Sequence, residues 1–100
     1  MYLKIHEDEH NKVVAICDED LIGKKLENQN LTIEITERFY KGESINNKKV
    51  KEILRKANNI NLSGKESVTC AIEEDLIKSE EIVWFKDTPN AIITIIEDDE

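Results

Sequence analysis

With 100 residues the chain has room for one domain and one core. Its 39 % apolar content, mostly Ile, Leu and Val, is too high for a disordered chain despite 36 % charged residues. The formal net charge of −8 opposes nucleic acid and anionic lipid for the molecule as a whole, and the longest nearly apolar run, Ala91 to Ile96, falls far short of the roughly 20 residues that cross a bilayer.

Met1-Tyr2-Leu3-Lys4-Ile5-His6 alternates like a strand and lacks the apolar core of a signal peptide. The two cysteines, Cys17 and Cys70, lie on apolar stretches and are expected as reduced, buried thiols of a cytoplasmic protein. Lys12–Cys17 is a second strand, joined to the first by the polar loop at 7–11. Asp18 to Gly23 reads as a turn stopped by its glycine. Leu31, Ile33 and Ile35 alternate with Thr32 and Glu34, which predicts a strand with the apolar three facing inward. One helical turn follows over 36–42.

From Asn46, Val50, Ile53, Leu54 and Ala57 fall at helical spacing, predicting an amphipathic helix over 46–57 with Asn58-Asn59 at its C-terminus. Ser63-Gly64-Lys65-Glu66 has capping-box spacing and opens a second helix with Val68, Ala71, Ile72 and Leu76 as its buried stripe. The segments 82–86 and 91–96 then pair across Asp87-Thr88-Pro89-Asn90. The order β-β-β-α-α-β-β predicts an α+β fold, a mainly antiparallel sheet with two helices packed on one face. Residues 1–96 form a single domain, and 97–100 an acidic tail.

The chemistry-bearing residues do not assemble into a known catalytic signature. His6 and His10 have no CxxC partner and sit at a strand end and a turn, so a zinc site is rejected. Asp18-Glu19-Asp20 are successive turn residues pointing different ways, unsuited to paired acid–base work. Ser63-Gly64-Lys65-Glu66 fails as a P-loop, because residue 59 is Asn rather than Gly and Glu66 stands where a Ser or Thr would bind magnesium. Anion binding at Gly64 and Lys65 is the weaker reading there, and capping the stronger. No cofactor and no metal is expected.

Charge is the informative feature. Between Lys41 and Lys65 lie seven basic and two acidic residues, a balance of +5 that leaves −13 on the rest. On the first helix Lys48, Lys51, Arg55 and Lys56 lie away from the apolar stripe. Such rows bind phosphate backbones with salt-dependent affinity, and Tyr40 and Trp84 offer rings for stacking. A Lys-rich helix face is also an ordinary solvated surface, or a dock for an acidic protein.

Several segments together resemble one family. Cys17-Asp18-Glu19-Asp20-Leu21-Ile22-Gly23-Lys24 is similar to its CDxxLxGK segment and Phe39-Tyr40-Lys41-Gly42-Glu43 to its FYxGE segment. Asn61-Leu62-Ser63-Gly64-Lys65 with Val68 and Ala71 resembles its NLxGxxxVxxA segment, and Pro89-Asn90-Ala91 its PHA turn. The family is the small archaeal domain of unknown function 424, and the resemblance runs in order from about residue 2 to 96. It implies an archaeal, cytosolic protein with no established activity or cofactor. Asn90 stands where His is expected, which weakens proton chemistry at that turn, and Lys41 precedes Gly42 where a second glycine is common.

The expected function is a non-catalytic binding protein that meets RNA or a ribosomal particle through Tyr40, Lys48, Lys51, Arg55, Lys56 and Lys65. The alternatives are an adaptor for an acidic protein, and an enzyme with an unrecognised site around Asp18, Tyr40 and Asn90.

Overall fold

The computed structural model describes residues 1–96. The first hairpin follows the alternation: β1 (Tyr2–Glu7) and β2 (Lys12–Cys17) are antiparallel, with Leu3 opposite Ile16 and Ile5 opposite Val14. Asp8 ties their loop, its carboxylate accepting from the N–H groups of His10 at 2.9 Å and Asn11 at 2.8 Å. A 3-10 turn at Glu19–Leu21 is released by Gly23, whose φ of +87° suits a residue without Cβ.

A small ribbon of β3 (Lys25–Glu27) and β4 (Thr32–Glu34) comes next, then the single turn α1 (Glu37–Tyr40). Thr36 caps α1 by accepting from the Phe39 N–H at 3.1 Å. The short β5 (Glu43–Ser44) leads to α2 (Asn47–Leu54), capped by the Asn46 side chain. After it come β6 (Asn59–Ser63), α3 (Lys65–Glu73), a 3-10 turn at Ser79–Glu81, and the hairpin of β7 (Val83–Phe85) and β8 (Thr88–Thr94).

The six-stranded sheet runs β5-β1-β2-β6-β8-β7, with β2 and β6 parallel and its other neighbours antiparallel. The α+β class, the mainly antiparallel sheet and the two principal helices are those the sequence pattern predicts. Leu3, Val14, Ile16, Ile60, Leu62, Ala91 and Ile93 line one face, closed over by Val50 and Leu54 of α2 and Val68 and Ala71 of α3. On the opposite face Ala15 and Cys17 pack with Leu21, Leu26, Ile35, Tyr40 and Phe85. The sheet therefore carries a cluster on each side.

Some details differ from the pattern. The central strand β6 was not expected: Asn58-Asn59 reads locally as a helix end, yet the helix stops at Leu54, and Ile60 and Leu62 alternate into the core. The terminal hairpin turns at Lys86-Asp87, and Pro89 lies inside β8. Pro89 falls one residue beyond the β6 ladder, whose last pair is Ser63 with Asn90, so its missing N–H breaks no bond of that ladder. Leu31 at 51 % exposure and Ile72 at 43 % face outward, because the ribbon and α3 each have an open side. The acidic run expected at 97–100 lies outside the described residues.

Candidate functional site

The basic face of α2 is less free than its sequence suggests. Lys51 Nζ lies 2.8 Å from a Glu73 carboxylate oxygen, and Arg55 reaches both oxygens of Glu74, at 2.5 and 3.3 Å. These hydrogen bonds hold the Lys51 ammonium above its ordinary pKa and the Glu74 carboxyl below its own. Lys49 pairs with Glu52 at 3.9 Å. Lys48, Lys56 and Lys65 make no ion pair among the described residues. They do not form one row: Lys48 lies in the first turn of α2, Lys65 shares a shallow depression with Asn47, and Lys56 lies two residues beyond the last helical residue, Leu54.

Tyr40 is not available for stacking. Only 6 % exposed, it packs in the second core cluster, where burial raises its pKa. Trp84, 51 % exposed, lies on the edge strand β7, its carbonyl accepting from the Asn28 amide at 3.1 Å.

Lys56 borders a groove that no local motif announced. Near the loop of the first hairpin the helix cover is incomplete, and Ile5 is 44 % exposed. The resulting groove, about 400 Å³, has Ile5, Val14, Ile53 and Ala57 as its apolar lining. Lys12 and Lys56 stand on its rim with His10, and Asn11, Asn58 and Asn59 supply amides. The Asn58 carbonyl is already used, accepting from the Ile95 N–H at 2.8 Å.

At the opposite end Tyr40 and Asn90 converge on Ser63, while Asp18 touches Ser63 only through its backbone N–H, which donates to the Ser63 carbonyl at 3.0 Å, and turns its carboxylate to α3. Ser63 is fully buried: its Oγ shares a hydrogen bond with the Tyr40 hydroxyl at 3.1 Å and accepts from Asn90 Nδ2 at 2.6 Å. Ser63 therefore does not cap α3, correcting the capping-box expectation. Asp18 does so from 48 residues away, accepting from the N–H of Glu66 at 3.0 Å, the N–H of Ser67 at 2.9 Å and the Ser67 hydroxyl at 2.8 Å. Of the N–H groups that would hold a phosphate there, those of Glu66 and Ser67 are thus taken by a carboxylate of the same chain, and that of Gly64 by the Pro89 carbonyl at 2.9 Å.

The neighbouring cysteine offers no nucleophile. Cys17 is fully buried, and that burial, reinforced by the charge of Asp18, pushes its thiol up to about 12. Asp18 also borders a polar cleft of about 210 Å³ with Asp20, Lys24, Lys65 and Asp87. Among the described residues no three His, Cys, Asp or Glu side chains are placed to hold one metal. His6 stacks on the Phe39 ring at 4.6 Å and bonds through Nε2 to the Phe39 carbonyl at 2.7 Å.

Fold and site together define a small α+β domain with two helices on one face of its sheet and motif residues committed to internal hydrogen bonds. The family model described as "Protein of unknown function (DUF424)" matches residues 5–96, and the chain belongs to that family. It is similar to the crystal structure of an uncharacterized conserved protein from Methanopyrus kandleri, with a TM-score of 0.74 and 28 % identity over 99 % of this chain and 96 % of that one. No curated protein matches.

Proposed function

We propose that the chain is a non-catalytic binding protein that meets an acidic protein partner. The carrying observation is the pairing of Lys51 with Glu73 and of Arg55 with Glu74. An RNA backbone needs several free cations at phosphate spacing. Here Lys51 and Arg55 are internally paired, and of the lysines without an ion pair among the described residues Lys56 stands beside apolar surface. An interface that couples a few charges to apolar contact suits a protein segment better than a polyanion. Among the described residues no helix is long and apolar enough to cross a membrane; the two buried free thiols support a reducing, cytoplasmic setting.

The test is sedimentation of the native protein from a gently lysed archaeal extract, with and without ribonuclease. Co-migration with a larger species that survives nuclease supports the protein-binding reading. Association that collapses on nuclease treatment overturns it in favour of RNA or a ribosomal particle. That second reading draws on Lys48, Lys56 and Lys65, which carry no ion pair among the described residues. It requires an affinity that falls steeply with salt and is lost on reversing Lys48 and Lys56.

A further inference from the structure

Resting on that reading, we infer that the groove between the end of α2 and the first hairpin is the docking site, and that it takes an extended segment with one large aliphatic side chain flanked by carboxylates. The groove lies where the end of α2 and the segment after it, Ile53 to Asn59, face the loop end of β1 and β2. Ile5 and Val14 are cross-strand partners on the helix-bearing face, and Ile53 and Ala57 reach them from the helix end. At about 400 Å³ the space exceeds one leucine or isoleucine side chain and admits the backbone that carries it.

The polar rim selects the rest of the occupant. Lys12 and Lys56 come from different elements, so carboxylates on either side of an aliphatic anchor meet opposite charge. The Asn11 and Asn58 amides can donate to and accept from an extended backbone. A nucleobase would find no Phe, Tyr or Trp ring in this lining, only the exposed imidazole of His10 on the rim.

The experiment is an amide-resolved NMR titration of the full chain with three probes: a blocked peptide of one leucine between two pairs of glutamates, the same peptide with alanine for leucine, and a short uridine oligonucleotide. The leucine peptide is expected to shift amides of Ile5, Asn11, Lys12, Ile53, Ala57 and Asn59. The alanine peptide should bind about tenfold or more weakly, as the loss of an aliphatic anchor implies. Ile53→Asp should abolish the shifts and Lys56→Glu should reduce them in a salt-dependent manner. Lys48→Glu, at the far end of α2, should leave them unchanged. Ala57→Asp serves as a second blocking variant should Ile53→Asp fail to fold. Shifts at another surface overturn the groove and leave the protein-binding reading standing. Groove shifts with the oligonucleotide alone overturn both, and no groove shift with any probe overturns the inference.

Discussion

Asp18 does at the start of α3 what a bound anion does at other helix N-termini. It neutralises two orphan N–H donors and bonds the Ser67 hydroxyl, away from bulk water. Gly64 makes room for it: its φ is +108°, and a Cβ there would collide with the Asp18 carboxylate. Replacing Asp18 by Ala leaves those donors unsatisfied and is expected to destabilise the fold by about 2–3 kcal/mol, measured by urea unfolding. Asp18→Asn keeps an acceptor and should cost about half as much. Gly64→Ala should be at least as damaging as Asp18→Ala, since it introduces both the clash and the backbone strain. Cys17 gives a pH prediction. Its thiol rises from 9.0 to about 12 in the fold, so its contribution is complete below pH 9 and is lost as pH rises toward 12, where the unfolded chain ionises first. The loss amounts to at most about 1.4 kcal/mol per pH unit. Urea midpoints at about pH 8 and about pH 10 should fall more steeply for the natural chain than for Cys17→Ala. Equal slopes would refute the assignment.

At the scale of elements, the helices α2 and α3 lie side by side and trade charge, which decides what the basic face can do. Glu73→Gln with Glu74→Gln frees Lys51 and Arg55 without changing size. RNA affinity should rise, and the slope of log affinity against log salt should steepen by about 1.4, or 0.7 for each added single-strand phosphate contact. An unchanged slope would show that the two pairs do not hold these cations back. The pairing was hidden from the sequence because Lys51 and Glu73, or Arg55 and Glu74, become neighbours only once α2 and α3 dock. The hairpin of β1 and β2, α2 and α3 were legible from their apolar periods, and the terminal hairpin as a pair, although Pro89 and Asn90, read as its turn, lie inside β8 and Ser63, read as the cap of α3, does not cap it. β6 was not: Ile60 and Leu62 alternate, but Asn59, Asn61 and Ser63 are poor strand formers that signal turns and caps. Burial between β2 and β8 overrides that preference. Missing β6 also hid the groove, since the parallel pairing of Val14 with Ile60 brings the start of β6 to the groove's edge. The sequence raised Asp18, Tyr40 and Asn90 together; the fold joins Tyr40 and Asn90 at Ser63 and sends the Asp18 carboxylate to α3, which needed β6 to be recognised.

Across the whole molecule, the two core clusters lie on opposite faces of one sheet and share its central strands. Alternate residues of β2 and β6 serve different sides: Ile16 and Leu62 pack under the helices, while Cys17 and Ser63 turn toward Tyr40 and Asn90. Neither cluster can lose β2 or β6 without exposing the other. Asp18 adds a second tie, since it leaves β2 on the way to the second cluster and bonds the N-terminus of α3 above the first. Unfolding should therefore be a single cooperative step. The two signals to compare are Trp84 fluorescence, from the edge strand β7, and far-UV circular dichroism, from the whole backbone. Their urea transitions should superimpose, and Asp18→Ala should move both midpoints together with little change in slope. Tyr40→Phe removes a buried hydroxyl and leaves Ser63 with Asn90 as partner, so it should shift the same single transition by about 1 kcal/mol. If Trp84 reported an earlier transition than the backbone, the β7–β8 hairpin would be a separate unit. The buried Ser63–Asn90 bond would then contribute to that hairpin's local stability and not to the fold as a whole.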